Sequence, residues 1–81
     1  MTELEFLALP LSERVRSLRE QGEHLGSRPH VSHQVHLYRV HGFFCELWMR
    51  AGLNAVEWVE VSRNPDILTE YVRIDVGDLL R

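Results

Sequence analysis

Over the first third of the chain, apolar residues fall at Leu4, Leu7, Leu11, Val15, Leu18 and Leu25. Steps of three and four trace one face of a helix with 3.6 residues per turn. Pro10 interrupts the run. Proline is poor inside a helix and good in its first turn, so the pattern predicts two helical pieces. The first opens on TELE, where Thr2 and Glu5 have capping-box spacing. The second opens on PLSER, with Glu13, Arg14, Arg16, Arg19, Glu20 and Glu23 as its outer face. Opposite charges three and four apart contribute about 0.2–0.5 kcal/mol per pair and keep such a face in water. Gly22 and Gly26 are exit signals, and GSRPH reads as a loop.

Beyond that loop the period shortens. HQVHLYRV, FFCELWMR and AVEWVEVS are rich in β-branched and aromatic residues and predict three antiparallel strands in a meander. HG at 41–42 is a two-residue turn and AGLN at 51–54 the second reversal. Asn64 as cap, Pro65 as first helical residue and Asp66 in the first turn predict a helix that runs to about Arg73. IDVGDLLR then closes as a short turn or a last helical segment. The expected architecture is one α+β domain over 1–81, with a broken N-terminal helix packed on a three-stranded antiparallel meander and a short C-terminal helix.

The segments HLYRVHGFFCELW, NPDILTEYVRIDVGDLL and LPLSERVRSLREQG together resemble a set of short single-domain bacterial proteins of unassigned function. Their motifs are patterns of apolar and aromatic residues. The resemblance implies the helix–sheet–helix order and no chemistry.

With the turns at 41–42 and 51–54, Val40 should pair with Phe43, Tyr38 with Cys45 and His36 with Leu47. In the second hairpin Arg50 should pair with Ala55, Leu47 with Trp58 and Cys45 with Glu60. Side chains alternate along a strand. One face then carries His36, Tyr38, Val40, Phe43, Cys45, Leu47, Met49, Val56 and Trp58, and the helices should cover it. The other mixes Val35, Leu37, Phe44, Trp48 and Val59 with Arg39, Glu46, Arg50 and Glu57. An apolar patch rimmed by charge marks an interaction site, and Trp and Arg anchor interfaces. The candidate interface is therefore Val35, Leu37, Phe44, Glu46, Trp48 and Arg50, with Arg39 as a further partner for Glu46. The competing reading has the last helix fold over this face and make it a second small core.

Composition narrows the chemistry. All nine basic residues are arginine. Without lysine, Schiff-base catalysis and the GxxxxGK[ST] phosphate loop are excluded. Cys45 is the only cysteine, so no disulfide can form within the chain and no cysteine-rich metal cage is available. The formal charge of −3 argues against a phosphate backbone as ligand. The opening MTELEFLALP is acidic, unlike a secretory leader. No apolar run reaches the roughly 20 residues of a membrane span, so the expected compartment is the cytoplasm.

Four of the five histidines, His30, His33, His36 and His41, lie between Arg28 and Gly42. On a strand, His33 and His36 point to opposite faces, which makes the row a poor chelate. His36, Cys45 and Glu60 are the better trio for zinc, and Cys45 with His36 is the one nucleophile–base pair the register permits. No oxyanion loop or recess accompanies that pair. The sequence therefore points to a non-enzymatic protein-binding module without a cofactor, self-associating as a homodimer or binding another protein through the aromatic sheet face. The alternatives are a small zinc domain or a single-stranded nucleic-acid binder using Phe44 and Trp48 as stacking platforms.

Overall fold

A computed structural model describes residues 1–71. Two helices, α1 (Glu3–Leu7) and α2 (Leu11–Gln21), precede four strands: β1 (Glu23–His30), β2 (His33–Val40), β3 (Phe43–Arg50) and β4 (Ala55–Ser62). The strands form one antiparallel sheet in the order β1-β2-β3-β4. The α+β class is as expected, but the sheet has four strands and not three. Residues 67–71 are helical; the remainder of the expected C-terminal helix and IDVGDLLR lie outside the described residues.

The N-terminal signals act as their chemistry dictates. Thr2 caps α1 through a reciprocal capping box with Glu5. Pro10 stands at the start of α2. The apolar phase is not carried across Pro10, however. Phe6 is the fully buried residue of α1, while Leu4 and Leu7 are exposed. Arg14 also leaves the outer face: it is buried, its Nη1 donating to the Val59 carbonyl at 2.7 Å and its Nε to the Leu9 carbonyl at 3.1 Å. The guanidinium lies 4.4 Å from the centre of the Trp58 ring. One side chain thus ties α2, the connection that precedes it and the edge strand β4 together. Arg16, Glu13 and Glu20 form the expected exposed ion pairs.

β1 is the element that local sequence conceals. EHLGSRPH has weak strand propensity, and its glycine and proline suggest a loop. Proline is nevertheless tolerated on a sheet edge, where one side of the strand has no neighbour to bond, and β1 is an edge. Its pairing slips between His24 and Gly26, so Leu25 is an inserted residue.

The β2–β3 hairpin has the expected register, Val40↔Phe43, Tyr38↔Cys45 and His36↔Leu47. His41 and Gly42, with φ of 51° and 87°, make the primed turn that matches strand twist. In the β3–β4 hairpin the expected Arg50↔Ala55 pair forms, but the register slips between Trp48 and Met49. Leu47 pairs with Val59 instead of Trp58, and Cys45 with Val61 instead of Glu60. The valines give the reason. Val56, Val59 and Val61 can share one sheet face only if one extra residue, Glu57, is inserted between the first two.

The principal core lies between helices and sheet. Phe6, Leu18, Val40, Phe43, Cys45, Leu47 and Val59 are its buried members. Val59 belongs to this core, not to the opposite face as the unslipped register implied. Full burial of each such aliphatic or aromatic side chain contributes about 1.5–3 kcal/mol. Among the described residues no helix is long and apolar enough to cross a membrane.

Val31, in the β1–β2 turn, has φ of 57° and is 95% exposed. A β-branched residue in the left-handed region is a strained choice. Val31→Asn should raise stability by about 1 kcal/mol, since asparagine adopts this conformation at less cost. Urea unfolding measures it, and an unchanged or lower midpoint would show that the turn holds no such strain.

Candidate functional site

The expected contact face of the sheet is not uniformly open. Asn64 accepts from the Asp66 amide at 2.9 Å, as a capping residue should, and turns the chain back over the sheet. Ile67 and Tyr71 then pack on Leu37, with Leu25 and Phe44 beside them. Tyr71 lies against Gly26, where a Cβ would meet the tyrosine side chain at 3.4 Å, in ordinary van der Waals contact. A polar network closes the cover. Tyr71 Oη donates to Glu46 Oε2 at 2.8 Å, and Arg28 Nη2 donates to the same oxygen at 3.1 Å. Arg28 also lies over the Tyr71 ring, 5.5 Å from its centre. Burial and the Glu46 hydrogen bond hold the tyrosine hydroxyl well above its ordinary pKa.

The six candidate interface residues therefore divide. Val35 and Leu37 are fully buried and Glu46 is 7% exposed, so the expectation of an open surface does not hold for these three. Leu37 belongs to the second small core that the chain's own fold over the sheet creates, and Glu46 to the polar network beside it. Phe44 is half-buried at the edge of that core. Trp48 is half-buried and Arg50 exposed. Arg39 bonds Glu23 at 2.8 Å rather than Glu46.

Trp48 and Arg50 sit at the opposite end of this face in a distinct cluster. His30 and His33 meet the Trp48 ring edge to face, with centroids 5.3 and 5.7 Å away. The indole N–H of Trp48 is buried and finds no acceptor among the described residues. Glu57, the inserted residue of β4, bonds both His33 and Arg50. Those two hydrogen bonds hold its carboxyl below the usual carboxylate range. The Ala51 amide donates to the Ser32 carbonyl at 2.9 Å, so the β1–β2 turn and the β3–β4 loop adjoin at this end. Both carry exposed apolar side chains, Val31 at 95% and Leu53 at 69%.

The trio His36, Cys45 and Glu60 does not assemble. Glu60 stands opposite Glu46 while Cys45 stands opposite Val61, a consequence of the slip at Glu57. Among the described residues no group of three or more His, Cys, Asp or Glu side chains could hold a metal. Burial pushes the Cys45 thiol up to about 12, with nearby Glu3 adding to the effect and Arg14 opposing it. Such a thiol is not a nucleophile at neutral pH.

His36 has a different companion. Its Nδ1 lies 3.1 Å from Nε2 of His24, and the Tyr38 ring meets the His24 ring edge-on at 5.1 Å. Burial, and then the neighbouring His24, lower the pKa of His36. His24 lies between Gly22 and Gly26, the expected exit of a helix, where nothing in the sequence marks it as a partner of His36. The β-bulge in a glycine- and proline-containing edge strand carries no strong local signal. An open recess of about 360 Å³ lies elsewhere, beside Glu3, Phe44, Arg63 and Asn64, with Arg63 and Glu3 3.6 Å apart.

No protein-family model matches the chain, and no curated protein or solved structure is similar enough to match.

Two outcomes are expected from these networks. Tyr71→Phe removes a buried hydrogen bond to a charged acceptor and should cost about 1.5–3 kcal/mol in urea unfolding; a loss under about 0.5 kcal/mol would show that the cover does not depend on it. The folded-state pKa of His36 lies below its unfolded value of about 6.5. The unfolded chain therefore binds this proton more readily, and the contribution is complete above about pH 6.5 and lost as pH falls through the lower folded value. The thermal midpoint should rise from pH 5.5 to 7.5, less steeply in His36→Gln; equal slopes would refute the assignment.

Proposed function

We propose that the chain is a small non-enzymatic protein-binding domain that self-associates through the end of the sheet carrying Trp48 and Arg50. The observation that carries this reading is the apolar exposure of two adjoining loop tips there. Val31 and Leu53 stand out from adjoining loops, beside a half-buried tryptophan whose indole N–H lacks an acceptor among the described residues. Large apolar side chains gathered at one place and rimmed by charge are the usual mark of a contact surface. Arg50 and Glu57 supply that rim. Phe44, Val35, Leu37 and Glu46 act beneath the surface, holding the sheet that presents it.

The non-enzymatic part of the reading draws support from the buried, unreactive Cys45 thiol. The small size of the domain supports association. A chain this short buries only about 60% of its unfolded surface, so burial of a tryptophan edge against a second copy would add a useful fraction of the total stability.

Sedimentation equilibrium at micromolar to high-micromolar concentration tests the proposal. The wild type should populate a dimer, and Trp48→Ala and Leu53→Ser should each weaken it. A central tryptophan contributes about 2 kcal/mol or more, roughly a 30-fold change in dissociation constant. A wild type that stays monomeric throughout, or a dimer that neither substitution weakens, would overturn it.

A further inference from the structure

We propose that His24 and His36 form a two-histidine chelate for a divalent first-row transition ion at the β1–β2 edge of the helix-covered face of the sheet. The argument begins with strand parity. His24 and Ser27 are three residues apart, so in a regular strand they would point to opposite faces. The slip at Leu25 changes this. His24 stands opposite Tyr38 and Ser27 opposite His36, and Tyr38 and His36 share one face of β2. The inserted residue therefore places His24 on the same face as His36, diagonally across the strand pair. Bulges are enriched where a side chain must be re-aimed.

The distance fits an ion. Two imidazole nitrogens bound at about 2.0–2.1 Å would lie roughly 2.9 Å apart at a right angle and roughly 3.4 Å apart at the tetrahedral angle. The observed separation of His24 Nε2 and His36 Nδ1 is 3.1 Å, within that interval, so neither strand would have to move. The donor set is two neutral nitrogens, which suits zinc, nickel or copper and disfavours magnesium or calcium. Water would complete the coordination, since the pair lies at an exposed edge. The Tyr38 ring, edge-on to His24, restrains one ligand as an outer-shell group would. A hydrogen bond between the two rings explains the distance equally well, and the experiment is chosen to separate the two.

Equilibrium dialysis of the full chain against Zn²⁺, and separately Ni²⁺, near pH 7.5 should give one bound ion per chain. His24→Ala and His36→Ala should each weaken binding about tenfold or more, at least the loss that an outer-shell partner brings. His33→Ala, at the Trp48 cluster, should leave it unchanged. Paramagnetic Ni²⁺ should broaden the imidazole proton signals of His24 and His36 and spare those of His41. The proposal is overturned if the wild type binds no stoichiometric ion, if both single variants bind as the wild type does, or if His33→Ala loses binding to the same extent.

Discussion

Side chains in a β-strand alternate between two faces, and in this protein almost everything follows from where that alternation is broken. Two inserted residues, Leu25 in β1 and Glu57 in β4, shift the parity of the strands on either side of the central hairpin. Both outer strands are edges, where one side of the backbone is unpaired and an extra residue disrupts least. The Glu57 insertion delivers Val59 and Val61 to the helix-covered core and frees a carboxylate to join His33 with Arg50. The Leu25 insertion sends Leu25 to one core and His24 to the opposite face, beside His36.

A four-stranded sheet presents two faces, and a chain of 81 residues has little material to cover both. The division of labour is economical. α1 and α2 close one face, locked by Arg14, which reaches the backbone of both Leu9 and Val59. That contact also blunts the β4 edge, which would otherwise offer bare carbonyls to another strand. Residues beyond β4 close part of the other face. There Glu46 is the pivot: a buried carboxylate is tolerable only when paired and hydrogen-bonded, and Arg28 and Tyr71, from either side of it in sequence, do both. At the Trp48 end an indole N–H has no acceptor among the described residues, and two apolar loop tips are exposed.

Four of the five histidines sort into two environments on opposite faces. His30 and His33 serve the Trp48 ring and Glu57. His24 and His36 face each other, where burial and mutual repulsion favour the neutral form of His36. Among the described residues neither pair gathers with a further His, Cys, Asp or Glu into a group of three or more that could hold a metal.

The sequence by itself determined the local features: the Thr2 cap, the break at Pro10, the turn at His41 and Gly42, the Asn64 cap and the β2–β3 register. Each is set by backbone preferences of a few neighbouring residues or by a two-residue turn that leaves one register available. Only the tertiary structure decided that EHLGSRPH is a strand, that Leu25 and Glu57 are inserted, and that Leu37 and Glu46 lie beneath Ile67 and Tyr71. Those outcomes depend on which distant residue offers a hydrogen bond or an apolar surface. A weak strand former becomes a strand because β2 has a free edge, and a charged residue goes inside because two partners from elsewhere in the chain meet it there.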